Sequence, residues 1–133
     1  MSSDEKNEKT GVAQKILLVE DEKETAGLIA KFLTRRGFDV DVVHTLEDGL
    51  KKFAAHYTLV LLDIMLEGEK SFPLLEKVKN DNPRTLVIMV SGHDNDENIR
   101  EAKKLGADGF IAKPVISEHL EYFLLSKLKA LQK

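Results

Sequence analysis

The chain of 133 residues predicts an α/β fold, a five-stranded parallel sheet wound doubly by helices into a three-layer sandwich. Two observations predict it. Short apolar runs alternate strictly with stretches of helical period, and the runs start about two dozen residues apart, far enough for helical crossovers. The run Thr58 to Leu62 is also unbroken and β-prone, which suits a central strand covered on both faces.

The elements run in order along the chain. Ile16 to Val19 is the first strand, followed directly by Glu20-Asp21-Glu22. From Lys23 a helix places Ala26, Ile29, Phe32 and Leu33 on one face, and Gly37 stands where a helix-stopping glycine belongs. Phe38, Val40 and Val42 alternate with Asp39 and Asp41, a half-buried strand near an edge. Thr45 with Asp48 signals a helix start, and the helix carries Leu46, Leu50, Phe53 and Ala54. Thr58 to Leu62 is the third strand, and a loop is expected from Asp63 to Lys70. Ser71 and Pro73 suit the next helix start, Leu74, Leu75 and Val78 are its apolar face, and Asp81-Asn82-Pro83 breaks it. Leu86 to Val90 is the fourth strand, ending at Ser91. A helix from Asp94–Asp96 turns Ile99, Ala102 and Leu105 inward, and Gly106 stops it. Gly109 to Ala112 is the fifth strand, ending at Lys113-Pro114. Ser117 is expected to cap a last helix carrying Leu120, Phe123, Leu124, Leu128 and Leu131. These leucines read as core, with room for a dimer contact along part of that helix.

Residues 1–14 read as a flexible polar tail without the apolar segment of a secretory signal, and 15–133 as one domain. A net charge of -3 with scattered Lys and Arg gives no footprint for nucleic acid. No apolar run is long enough to span a membrane. The absence of Cys excludes disulfides, thiolate metal sites and Cys nucleophiles, and fits a reducing compartment.

A parallel sheet brings the carboxyl ends of its strands to one rim, where open α/β sheets bind ligands. That rim receives Glu20, Asp21, Asp63, Ser91 and Lys113. Taken alone, Asp63 reads as a cap for the adjoining loop or helix. Together the set points elsewhere. Three carboxylates repel one another, and an oxygen-only donor set suits a hard divalent ion, Mg²⁺. Lys113 supplies a point charge for a phosphoryl group and Ser91 a hydroxyl donor, leaving Asp63 as a carboxylate nucleophile.

Over about Lys15 to Leu131 the chain resembles the receiver domain of two-component response regulators. The matching residues are Glu20-Asp21, Asp63, Ser91 and Phe110-Ile111-Ala112-Lys113-Pro114. The resemblance implies a flavodoxin-like (βα)5 fold with strand order 2-1-3-4-5. It implies that Asp63 takes a phosphoryl group from a phosphohistidine on a sensor histidine kinase or phosphotransfer protein. Mg²⁺ would be held by Asp21, Asp63 and the backbone carbonyl of Met65, with Glu20 acting through water. Ser91 and Phe110 would be the switch pair, Lys113 would hold the phosphoryl group, and Lys113-Pro114 would be cis. A downstream protein target or output domain, or a second copy of the chain, would be met through the face of the fourth helix, fifth strand and fifth helix. The resemblance also implies a cytoplasmic switch, not an enzyme beyond its own phosphorylation and slow dephosphorylation. The sequence departs from the family at Glu67, often Pro, at Ser71, usually Gly, and at Phe110, commonly Tyr. Met65 and His93 occupy positions that tune phosphoryl lifetime in the family.

Other classes fit less well. A flavodoxin-like FMN binder needs a first loop that welcomes phosphate, which Glu20-Asp21-Glu22 repels. A haloacid-dehalogenase-type phosphatase needs a second Asp where Met65 stands. Ser91, His93 and Asp94 lie too close along one loop to form a triad. His44, His56, His93 and His119 are dispersed and read as surface residues. A receiver-like interaction module working without phosphorylation is the alternative, but the acidic pair and Lys113 are all retained. With no output segment after Leu131, the sequence reads as a stand-alone receiver.

Overall fold

The structure is a computed structural model that describes residues 14–92 and 96–132, without the side chains of 128–132. His93 and Asp94, and the tail except Gln14, lie outside the described residues. The elements are β1 (Lys15–Val19), α1 (Lys23–Arg35), β2 (Asp39–Val43), α2 (Leu46–Lys52), β3 (Leu59–Asp63), β4 (Met65–Leu66), β5 (Glu69–Lys70), α3 (Phe72–Asp81), β6 (Leu86–Ser91), α4 (Asp96–Lys104), β7 (Gly109–Ala112) and α5 (Ser117–Gln132).

The main sheet is five-stranded and parallel, in the order β2-β1-β3-β6-β7. With the small hairpin strands β4 and β5 set aside, this is the expected 2-1-3-4-5. β3 lies at the centre with every residue buried, as its unbroken apolar run requires. β2 is an edge strand, and its alternating Asp and Val residues are half-buried or exposed.

Alternation of side chains along each strand divides the core in two. On one face, Leu17, Val19, Val60, Leu62, Val87 and Met89 pack against α2, α3 and α4 through residues such as Leu74, Leu75, Val78 and Ala102. On the other, Ile16, Leu18, Leu59, Leu61, Ile88 and Val90 pack against α1 and α5 through Ala26, Ile29, Leu33, Leu120 and Leu124. Two helices therefore cover one face and three the other. Among the described residues no helix is long and apolar enough to cross a membrane.

Several local expectations are corrected. The segment after Asp63 is not an open loop, because Met65 pairs with Lys70 and Leu66 with Glu69 in a short antiparallel hairpin. Ser71 precedes α3 but does not cap it with its side chain. α2 ends at Lys52, and Phe53 is buried from an extended backbone while Ala54 is exposed. α5 begins at Ser117 itself. Thr45 does cap α2, its hydroxyl accepting from the Asp48 N–H at 3.0 Å. Such a cap is worth about 1 kcal/mol.

Candidate functional site: an acidic rim bridged by a lysine

The rim forms where β1, β3, β6 and β7 end side by side. β1 delivers Glu20 and Asp21, β3 delivers Asp63, and the turn after β7 delivers Lys113. Carboxylate oxygens of Glu20, Asp21 and Asp63 lie within 4.8 Å of one another. Glu20 is 1% exposed and Asp63 6%. Buried carboxylates this close need a cation. Lys113 serves as one, its Nζ donating to Asp63 Oδ2 at 2.7 Å and to Glu20 Oε2 at 3.1 Å. The Lys113-Pro114 peptide is cis.

The electrostatics follow from burial. Desolvation pushes the Asp63 carboxyl above its ordinary range, Lys113 draws it back, and the Asp21 charge adds to the rise. Desolvation likewise raises Glu20, opposed by the Glu22 N–H and by Lys113. Burial alone would lower the Lys113 ammonium, but its bonds to Asp63 and Glu20 prevail and hold it above the usual lysine range. The pair of acids and the lysine are thus a charge-compensated set that a second cation would rearrange.

The backbone around the set is fixed by contacts that residue types did not announce. His44 Nδ1 donates to the Glu20 carbonyl at 2.9 Å. This half-buried His44 is no ligand of the cluster, yet it pins the chain where β1 hands over to Glu20. The Glu22 N–H donates to Glu20 Oε2 at 3.1 Å. The Met65 N–H donates to Asp63 Oδ1 at 3.3 Å, and the Glu67 N–H to Asp21 Oδ2 at 2.9 Å. The hydroxyl of buried Ser71 donates to the Asp63 carbonyl at 2.6 Å.

Ser91 ends β6 one residue beyond the partner of Asp63, and its carbonyl accepts from the Lys113 N–H at 2.8 Å. Among the described residues its hydroxyl makes no hydrogen bond to the three carboxylates. Phe110 is half-buried on β7 against the α2–α4 face, with Lys103 Nζ 6.0 Å from its ring centroid. The structure brings together Glu20, Asp21, Asp63 and Lys113, with Ser91 beside them, while Phe110 packs into the core on the α2–α4 side of the sheet. His56 stacks on Tyr57 with ring centroids 4.4 Å apart, and His119 is exposed, both away from the rim.

An open cleft of about 840 Å³ lies over Asp63, with Asp21, Met65 and Lys113 on its wall. Its other side is apolar, formed by Leu28, Ile29 and Val115. The donor set is oxygen only, clustered and acidic, which fits a hard divalent cation such as Mg²⁺ and not a soft or imidazole-bound metal. Met65 follows Asp63 by two residues on the same wall.

Comparison with known proteins agrees with this geometry. The family model described as response regulator receiver domain matches residues 16–124. The nitrogen assimilation regulatory protein NtrX of Azorhizobium caulinodans is 36% identical over 112 residues, covering 82% of this chain and 25% of that protein. A CheY-like response regulator receiver domain protein from Methanospirillum hungatei superposes with a TM-score of 0.85 at 30% identity, covering 90% of this chain and 97% of that one. The receiver domain of NtrX from Brucella abortus gives a TM-score of 0.77 at 32% identity, covering 86% and 98%. The chain spans 25% to 51% of the length of curated relatives such as NtrX and the Staphylococcus aureus response regulator ArlR.

Proposed function

This chain belongs to the response regulator receiver domain family, and from that premise we propose that Asp63 is its phosphoacceptor, served by Mg²⁺, Lys113 and Ser91. Receivers of this family are phosphoacceptor switches in two-component signalling, and they interact with histidine kinases and output domains. The donor would be a phosphohistidine on a sensor kinase or phosphotransfer protein. The P–N bond breaks with its electron pair left on the imidazole nitrogen, and a new P–O bond forms to an Asp63 carboxylate oxygen.

The observation that carries this reading is Lys113 Nζ at 2.7 Å from Asp63 Oδ2, beside three carboxylates within 4.8 Å. Asp21, Asp63 and the Met65 carbonyl would hold Mg²⁺, with Glu20 acting through water. Bound there, the ion would neutralise charge on the transferring group. Lys113 is already placed to meet a phosphoryl oxygen once it is released from Asp63. Ser91, beside the site, supplies a hydroxyl that moves to a phosphoryl oxygen, and Phe110 follows it inward. A group of charge about -2 on Asp63 then biases the loop after β6 and the face formed by α4, β7 and α5, where a partner, an output domain or a second copy binds.

Intact mass after incubation with Mg²⁺ and acetyl phosphate tests the assignment. One phosphoryl adduct is expected on the wild type and none on Asp63→Asn. An adduct that survives Asp63→Asn, or a wild type that never gains one, sinks it.

A further inference from the structure

The hairpin of β4 and β5 and the residue after it touch the acidic rim through hydrogen bonds, two of which the usual residues of this family cannot make. Its two-residue tip is Glu67-Gly68, with φ of 51° and 85°. Positive φ at both central residues is the mark of the tight turns that close two-residue hairpins, and such turns favour Asn or Gly at the first place. A glutamate in the left-handed region is uncommon and carries a steric cost. Its backbone gains something in return, because the Glu67 N–H is turned to Asp21 Oδ2 at 2.9 Å. At the foot of the hairpin the Met65 N–H donates to Asp63 Oδ1 at 3.3 Å. At its far end the hydroxyl of Ser71 donates to the Asp63 carbonyl at 2.6 Å, and the Ser71 N–H to the Ile64 carbonyl at 2.8 Å.

A proline at position 67 has no N–H to give, and a glycine at position 71 has no hydroxyl. The two departures at Glu67 and Ser71 therefore lie on and just after one hairpin, the first acting on the Asp21 carboxylate and the second on the backbone carbonyl of Asp63. The hairpin spans from Asp63, at the end of β3, to Asp21, after β1. It fixes the carboxylate of each through a backbone donor, and Ser71 fixes its own end.

We propose that this hairpin orients the metal ligands, with the Glu67 N–H as the positioning donor for Asp21. The inference rests on the Mg²⁺ reading above. Asp21 is partly exposed at the head of a turn, and its side chain would otherwise sample several rotamers. One oxygen accepts from the hairpin, which leaves the other without that bond and open to a cation. Donors that hold a metal ligand from behind are commonly worth about 10- to 100-fold in metal affinity.

The test replaces the amide linkage of residue 67 by an ester in semisynthetic full-length chain, which removes the N–H and keeps the Glu67 side chain. Glu67→Gly is the companion, because it keeps the N–H and suits the positive φ. Mg²⁺ affinity is read by titration calorimetry, and the rate of acetyl phosphate labelling is read as a function of Mg²⁺ concentration. The ester should bind Mg²⁺ about tenfold more weakly, at the low end of that range. Its labelling should recover the wild-type maximal rate when Mg²⁺ is saturating. Glu67→Gly should match the wild type within about twofold, since the donor is retained. An ester that binds Mg²⁺ as well as the wild type overturns the proposal, as does Glu67→Gly weakened to the same degree. Labelling of the ester that stays slow at saturating Mg²⁺ also overturns it, since the N–H would then act on something other than the ligand. A wild type that binds no Mg²⁺ removes the underlying reading as well, whereas normal wild-type binding with an unaltered ester removes the hairpin's role alone.

Discussion

Tyr57 is 2% exposed, yet its hydroxyl reaches Asp41 Oδ2 at 2.6 Å at the end of the sheet opposite the rim. Lys15 Nζ joins the same oxygen at 3.1 Å. The Tyr57 bond, assisted by Lys15, holds the Asp41 carboxyl below its ordinary range. A carboxyl with a depressed folded-state pKa adds stability that is present above its unfolded pKa, about 3.9, and lost as pH falls through the folded value. Tyr57→Phe should therefore cost about 2 kcal/mol at pH 7, the scale for a hydrogen bond to a charged group. In urea titrations the gap from the wild type should narrow as pH falls below about 4, where the unfolded chain takes up the Asp41 proton, and close further as the folded carboxyl does so at lower pH. A gap that widens in acid would contradict the assignment. Charge at the other end of the molecule was easier to read from sequence. Glu20, Asp21, Asp63 and Lys113 stood out because each ends an apolar run, and a charge there needs a reason. Asp41 with Tyr57, and His44 with the Glu20 carbonyl, gave no such signal. Their partners lie across strands or on backbone atoms, and neither is visible in residue type.

Among the elements, α4 is weakly anchored. Of its residues Asp96 to Lys104 only Ala102 is buried, and apart from the half-buried Ile99 the rest is polar. α3 buries Leu74, Leu75 and Val78. Local opening is easiest where few apolar side chains are buried. Amide hydrogen exchange should therefore show α4 losing protection well before α3 or β3, under conditions where the whole domain stays folded. Equal protection of α3 and α4 would count against this. Helices with strong apolar periods were legible because packing and pattern agree. The hairpin of β4 and β5 was not, because two-residue strands carry no period and Ser71 resembled a cap. Its hydroxyl instead turns to the Asp63 carbonyl, a choice set by tertiary geometry.

For the molecule as a whole, a metal bound only by the folded rim stabilises the whole fold. The proposed ligands come from separate strands, so the unfolded chain has no such site. Mg²⁺ at about 100 times its Kd should add about 2.7 kcal/mol. Thermal melts with Mg²⁺ and with a chelator should show that difference in the wild type and lose most of it in Asp21→Asn. The architecture itself was legible, since strict alternation of strand and helix leaves few topologies. What the pattern could not supply was which backbone donors support the rim. The edge strand β2 bears on a different matter. Among the described residues its outer side has no neighbour in the sheet, and such an edge invites a strand from another molecule. Asp39 and Asp41 alternate along it, with Lys15 placed between them at 3.3 and 3.1 Å. Lys15 offsets one of the two charges, so each approaching copy still presents a net negative edge, and the pattern that marks this strand as half-buried should also disfavour edge-to-edge pairing of copies at crowded concentrations.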